Sequence, residues 1–275
     1  MKSDSVSSFC PCQQARTKFS PVFTFHEKKA FPNYEDAVIG KCNHCGVLKT
    51  VVFPKNFNSA SSRPEMYGKN KEVLIRELYP IIKTIQKSDR RNVLDVGFSS
   101  GILINELQKQ GIDTWGIELN KRAFKIAKNK KIANIFNGTL KDFIKKYPRK
   151  KFDAVIYNHV LEHIENLKLE IDLIKQIINE NGLLIVGVPN RRNVVFYLRG
   201  IFWESLMPGE HIWHFTDHYL INFLEKNGFY IKDKFYANHN RSSLPLLKRI
   251  YFNILVFLNS LFGTGEAVTV IAQMR

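Results

Sequence analysis

The chain has 275 residues, 44% of them hydrophobic, with 41 Lys and Arg against 25 Asp and Glu for a formal net charge of +16. That apolar share can fill a core of this size, which excludes a disordered or fibrous chain and leaves room for one large α/β domain plus a small appendage. Met1 to Phe9 lacks the apolar core of a secretory leader, and no stretch reaches the ~18 apolar residues of a membrane span, so the cytoplasm is the expected location.

All four cysteines fall near the beginning, as Cys10-Pro-Cys12 and Cys42-Asn-His-Cys45-Gly46. A cytoplasmic protein disfavours two disulfides, and paired knuckles fit a tetrahedral thiolate zinc site in a ribbon. The second knuckle is the stronger, because Gly46 lets backbone amides turn toward the sulfurs. The first is one residue shorter than the usual loop. Either Cys10 and Cys12 both ligate in a tighter turn, or His44 or His26 replaces one of them. A degenerate ribbon of free thiols is the competing reading. A zinc held by this ligand set would be closed and structural.

Residues 1–55 therefore read as a ribbon-like segment. Residues 56–88 read as a polar linker, Asn58 to Pro64, and then a helix through Val73, Leu74, Leu78, Ile81, Ile82 and Ile85. From 89 to 275 strands and helices alternate, which predicts a doubly wound, Rossmann-like α/β domain with a parallel sheet of seven strands. The strands are expected at 92–97, 113–118, 132–136, 152–157, 182–188, 229–236 and 267–274. Helices are expected near 101–110, 120–130, 140–147, 166–180 and 216–227, with Asn181-Gly182 and Gly228 as helix stops. Basic residues crowd 121–131 and 141–151 at helical spacing. They suit nucleic acid, acidic lipid or a phosphorylated substrate, or are solvated helix faces. The stretch 244–262 is apolar but short, with Lys248 and Arg249 near its start. It suits peripheral contact with an anionic membrane, or a helical insertion packed on the sheet.

The run Val93-Leu94-Asp95-Val96-Gly97-Phe98-Ser99-Ser100-Gly101 reads as a buried strand and a tight turn of small residues. Glu118 ends the next strand, about 20 residues beyond the turn, where a carboxylate can accept both hydroxyls of a ribose. The turn is not the G-x-G-x-x-G that presents a helix N-terminus to a pyrophosphate, and Asp95 at the strand tip would repel a phosphate. A cofactor with a ribose and a cationic head, such as S-adenosylmethionine, fits these residues better.

At this point the chain resembles the class I S-adenosylmethionine-dependent methyltransferases, in particular the group with an N-terminal zinc ribbon often associated with glycan and secondary-metabolite pathways. The resemblance runs through Lys41 to Leu48 with Pro54, Val93 to Gly101, Glu118, Phe152 to Ile164, Gly182 to Asn190, and His211 to Thr216 with Leu224 to Phe229. It implies cofactor contacts from Asp95, Gly97, Phe98, Ser99, Gly101, Glu118, Leu119, Leu140 and Asn158. Two positions depart from the pattern. Ser99 stands where the family has a middle glycine, and no acid stands at Gly138-Thr139-Leu140 for the adenine amine, although Asp142 is near.

Methyl transfer from a sulfonium needs an aligned, deprotonated acceptor. His159, Glu162 and His163 follow the fourth strand at i, i+3 and i+4, and His211 or His214 can join them from the later segment. Small-RNA 2′-O-methyltransferases and some quinone-pathway O-methyltransferases resemble this arrangement, with a divalent metal. The alternative is that Glu162 and His163 hold the turn while His159 acts as general base. His211 and His214 line an acceptor pocket or cap the next helix. The Asn/Asp-Pro-Pro-Tyr signature for exocyclic base amines is missing, which disfavours nucleobase N-methylation. The expected activity is O-methylation of a sugar, glycan intermediate or small hydroxylated metabolite. RNA methylation and a catalytically silent cofactor-binding interaction protein are the alternatives.

Overall fold

A computed structural model describes residues 5–25, 33–54, 71–239, 241 and 244–275. His26 and the linker 58–64 lie outside the described residues. The N-terminal strands are β1 (Val6–Cys10), β2 (Ala15–Thr24), β3 (Val38–Cys42) and β4 (Leu48–Val52), joined antiparallel in sequence order. Helix α1 (Lys71–Lys87) leads into β5 (Asn92–Val96), α2 (Ile102–Gln108), β6 (Asp113–Glu118), α3 (Lys121–Asn129), β7 (Ile135–Asn137) and α4 (Leu140–Lys146). There follow β8 (Phe152–Asn158), α5 (Leu167–Ile177), β9 (Ile178–Pro189), α6 (Val194–Arg199), β10 (Trp213–His214) and α7 (Asp217–Lys226). The chain ends with β11 (Phe229–Ala237), α8 (Leu246–Leu261) and β12 (Ala267–Met274).

The central sheet has the order β11-β12-β9-β8-β5-β6-β7. Its strands are apolar almost without interruption because both faces are covered. Val93, Ile156, Leu183 and Ile185 pack on one face against Ile81 and Ile85 of α1 and Leu103 and Leu107 of α2. Their sequence neighbours Leu94, Val155, Tyr157, Leu184 and Val186 pack on the other, with residues of α4, α5 and α7. Polar side chains start the helices. Asn120 accepts from the Arg122 and Ala123 amides, Asn166 from Leu169 and Thr216 from Tyr219, while Thr139 and Asp142 form a reciprocal capping box. These caps satisfy amides that have no partner within the helix.

Three expectations need correction. The sheet is mixed, because β12 runs antiparallel to both β9 and β11. The third parallel strand begins at Ile135 and not at Ile132, since Lys131 and Asn134 adopt φ of 59° and 55° and turn the chain. Asn181-Gly182 does not stop a helix. α5 ends at Ile177, where Ile178 is buried and pairs with Phe152, and the next pair in register is Ala154 with Leu183. The extra residues form a bulge in β9, with Asn181 at φ 58°. Gly228, at φ 86° just after α7, is a helix stop as expected.

Elements the patterning did not resolve are α6, the two-residue strand β10 and the exact extent of α8, which takes the helical form of the stretch 244–262. β10 matters most. It pairs antiparallel with β4, Trp213 opposite Lys49 and His214 opposite Leu48, so a five-stranded N-terminal sheet is completed by a segment far along the chain. Cys10, Phe19, Cys42 and Val47 pack into the same apolar cluster as Leu94 and Tyr157.

Candidate active site

The loop after β5 is built for close approach. Gly97 and Gly101 have φ of 75° and 76°, and a Cβ on either would lie 2.4 Å from Val160 Cγ2 or 2.3 Å from Ile132 Cδ1. Ser99 holds φ 54° between them, a conformation glycine adopts freely and serine at a cost of about 1–2 kcal/mol. Glu118 bridges the loop to the end of β6: its Oε2 accepts from the Ser99 amide at 2.8 Å and its Oε1 from the Asn120 amide at 2.7 Å. Burial raises its pKa while those amides oppose the shift. Asp95 is buried at the strand tip, and burial plus the Glu118 charge push its carboxyl up to about 8. The charge that acts on Asp95 is thus that of a second carboxylate.

The remaining residues expected at the cofactor divide by where their side chains go. Leu119 is exposed beside the Glu118 turn, whereas Leu140 is buried in the main core cluster. Phe98 turns into the core against Ile104 and Phe124, so only its backbone borders the loop. Asn158 ends β8 with its Oδ1 against Gly187. Asp142 is committed to the capping box of α4.

On the same carboxyl edge of the sheet, His159 follows β8 with φ 57°, a strained turn position for a non-glycine residue. Its imidazole is half-exposed, and its Nδ1 lies 3.3 Å from Oε1 of the fully buried Glu162. An ionised carboxylate only accepts, so Nδ1 carries the proton and Nε2 the lone pair. Burial alone would raise the Glu162 carboxyl, but the His159 hydrogen bond and the charges of His163 and His211 outweigh it and pull it down to about 2. Its other oxygen, Oε2, is buried with no hydrogen-bond partner. His163 Nδ1 lies 2.8 Å from the Glu210 carbonyl and His211 Nδ1 lies 2.9 Å from the Ser205 carbonyl. Each Nδ1 must donate to its carbonyl, so in the neutral form of either ring Nε2 is the lone-pair nitrogen. Ligand atoms of Glu162, His163 and His211 all lie within 4.8 Å of one another.

His214 does not join this group. It is buried in β10 with Nε2 3.1 Å from Thr50 Oγ1, and burial lowers its pKa well below the ordinary histidine value. The Thr50 hydroxyl donates to the His211 carbonyl at 2.7 Å, so it accepts from His214. Thr50 and the Ser205 and Glu210 carbonyls are the parts of the site that sequence patterning misses. Two of them are backbone groups, and Thr50 sits in a ribbon strand with no motif of its own.

Comparison with known proteins bears on this edge. A family model described as a methyltransferase domain matches residues 67–233, more than half of the chain. The chain belongs to the methyltransferase family. A ubiquinone biosynthesis O-methyltransferase of Glaesserella parasuis is 30% identical over 116 residues, covering 39% of this chain and 49% of that protein. The mitochondrial one of Rattus norvegicus is 27% identical over 156 residues, covering 51% and 44%. The chain thus spans about half the length of these curated relatives. Among solved structures, an S-adenosylmethionine-dependent methyltransferase from Archaeoglobus fulgidus superposes with a TM-score of 0.56 at 19% identity, over 76% of this chain and 96% of that one. A magnesium protoporphyrin IX methyltransferase from Synechocystis with bound S-adenosylhomocysteine gives 0.52 at 17% identity, over 73% and 83%. The fold is the Rossmann-like one of the class I S-adenosylmethionine-dependent methyltransferases.

Away from the strand tips, the ribbon's thiols precede the stretch that the family model matches. Cys10 and Cys12 sulfurs lie 3.1 Å apart, Cys10 and Cys45 3.6 Å, and Cys12 and Cys42 3.8 Å. All four lie within 4.8 Å of one another, without His44. A zinc about 2.3 Å from each of four thiolates would hold them roughly 3.8 Å apart, so these residues fit the ion. The Cys10 hydrogen bond, against the effect of burial, draws the Cys45 thiol down to about 5, helped by the Val47 amide that Gly46 turns inward.

Asp95 supplies a prediction with a defined sign. Its folded-state pKa of about 8 lies above its ordinary value of 3.8, so the protein without cofactor loses stability as pH rises between the two. Asp95→Asn is therefore expected to raise the thermal midpoint over the native protein, by an amount that grows from about pH 4 to about pH 8 and then levels off. The same substitution is expected to weaken S-adenosylmethionine binding in calorimetry. A stability gain independent of pH would refute the assignment.

Proposed function

We propose that this chain transfers the methyl group of S-adenosylmethionine to a hydroxyl of a small hydroxylated metabolite, with Glu118 receiving the ribose hydroxyls and His159 acting as the general base. The carrying observation is the His159–Glu162 pair at the end of β8. A buried carboxylate fixes the Nδ1–H tautomer and stabilises the imidazolium that forms when Nε2 takes the acceptor's proton. S-adenosylmethionine, when bound, would supply the methyl group from its sulfonium and be left as a neutral thioether. Buried, and held from ionising until a positive charge arrives, Asp95 suits the cofactor's cationic part, while Gly97 and Gly101 allow its close approach. The relatives' names favour O-methylation, and of the acceptors expected from sequence they favour the small metabolite over the sugar or glycan. RNA as acceptor would give binding that weakens steeply with salt.

A second reading has a specific observation behind it. Glu162 Oε2 is buried without a hydrogen-bond partner, and Glu162, His163 and His211 bring ligand atoms within 4.8 Å of one another, a donor set that fits a divalent cation able to lower the acceptor's pKa. Labelled S-adenosylmethionine with fractionated cell extract would identify the acceptor, after which the two readings separate. With His159 as base, His159→Ala is expected to lower turnover by about 10²–10⁴-fold while cofactor affinity is kept, and chelator is expected to have no effect. With a metal, chelator inhibits, and Glu162→Ala and His163→Ala are as damaging as His159→Ala. Turnover that survives His159→Ala within a few-fold and ignores chelator would sink both.

We also infer that Cys10, Cys12, Cys42 and Cys45 hold a structural zinc. Thiolate ligation couples the ion to folding. Elemental analysis is expected to give one zinc per chain, and Cys42→Ser is expected to lose it and to lower the thermal midpoint. Metal-free native protein of unchanged midpoint would count against the ion.

A further inference from the structure

We propose that the outer face of α8, together with α6 and the 3₁₀ turn Gly200–Phe202, docks on the surface of an anionic lipid bilayer. α8 buries Phe252, Leu255 and Asn259 on its inner side. The opposite side carries Leu247, Ile250, Ile254, Phe257 and Leu261, exposed by between 47% and 82%. A helix on a water-facing domain places polar residues there. Here polar residues keep only a flank, with Arg249, Asn253 and Ser260. Tyr197 and Leu198 of α6 and Phe202 of the turn are likewise exposed. Asn259 ties the two helices together, its Oδ1 accepting from the Val194 amide at 2.7 Å. An exposed apolar surface contributed by two adjacent elements is uncommon on a domain that works alone in water.

Charge selects the occupant. The sequence has no Asp or Glu from Arg241 to Gly265, but has Arg241, Lys248 and Arg249. Arg241 is paired with Glu266, and Arg199 of α6 with Glu204. Lys248 and Arg249 are exposed at the start of α8, and no ion pair among the described residues engages them. A second copy of the chain would bring a face of the same sign and another net +16. An anionic headgroup layer over acyl chains meets both demands at once, since it accepts the cations and buries the apolar side chains. Among the described residues no helix is long and apolar enough to cross a membrane, and α8 would lie in the plane of the interface.

The face also adjoins the site. α8 is entered from β11 past Asn238 and left through Thr264 to Glu266, and Asn190 at the end of β9 donates to Thr264 Oγ1 and the Gly265 carbonyl. Docking there would bring the carboxyl edge of the sheet close to the bilayer surface. The inference rests on the helix face and holds whether or not His159 is the base.

Vesicle flotation of the full chain tests it, with phosphatidylcholine alone and with an equal mixture of phosphatidylcholine and phosphatidylglycerol. The native protein is expected to float with the mixed vesicles and to stay behind with phosphatidylcholine alone. Replacing Leu247, Ile254 and Phe257 together by serine is expected to cut the floated fraction about tenfold or more, because the buried apolar area is lost. These positions are exposed, so the circular dichroism spectrum and thermal midpoint are expected to stay unchanged. Lys248→Glu with Arg249→Glu, which leaves the apolar face intact, is expected to abolish the preference for anionic vesicles. Failure of the native protein to float with mixed vesicles would overturn the proposal, as would flotation indifferent to both variants. A concentration-dependent dimer that the serine variant dissolves, without flotation, would assign the face to a second copy instead.

Discussion

Two residue pairs, Trp213 with Lys49 and His214 with Leu48, carry the junction on which the rest of the molecule depends. Through them the N-terminal sheet grips the segment that brings His211 to the edge of the central sheet. Thr50 extends the grip: its amide donates to the Ile212 carbonyl at 2.9 Å and its hydroxyl to the His211 carbonyl at 2.7 Å. Ile212 passes the constraint on, its amide donating to the Glu162 carbonyl at 2.9 Å, and the Trp213 indole N–H donates to Ile164 at 2.8 Å. Lys49, itself buried, closes the join with its ammonium 4.7 Å from the centre of the Trp213 ring. The ribbon, its four thiols and the histidine cluster are therefore parts of one hydrogen-bonded frame. A zinc in the ribbon would act on the active edge through this frame without touching any reacting atom.

Three buried carboxyl groups on that edge differ in how their acidity is shifted. Asp95 is raised to about 8 by burial and by Glu118, which leaves it short of positive charge. Glu118 is raised by burial although two amides hold it. Glu162 is pulled the other way, to about 2, because three imidazoles surround it. The first pair suits a cofactor that brings its own cation and hydroxyls, while the third is already an anion bound to the residues that would handle the acceptor's proton. Opposite shifts on neighbouring strand tips are what the proposed division, binding on one side and reaction on the other, would require.

The parallel part of the fold was legible because both faces of β5, β8 and β9 are covered, so their sequences are near-continuous apolar runs ended by Gly97, Asn158 and Pro189. The turn residues misled where tertiary pairing overrode them. Asn181-Gly182 has helix-stop chemistry, yet pairing of Ile178 with Phe152 ended the helix earlier and left the pair as a bulge. The strand β10 could not be read, since two residues carry no periodicity and their partner is in another region of the chain. That same blind spot put His214 with His159, His163 and His211. Sequence spacing could group His211 and His214, but only the pairing with β4 shows that one faces Glu162 and the other Thr50. The thiols came together as their knuckles implied, because a Cys-x-x-Cys-Gly turn fixes its own geometry locally.

The most direct test of whether the ribbon holds the active edge in place is Thr50→Val, which keeps the shape of the side chain and removes its hydroxyl. Once an acceptor is in hand, turnover at saturating S-adenosylmethionine should fall by about ten- to a hundredfold, the scale of loss that small misplacement of a reacting group produces. Cofactor affinity should not change, because Asp95, Gly97 and Glu118 lie on strands that Thr50 does not touch. Native turnover in this variant would contradict the coupling and leave the ribbon as an independent appendage.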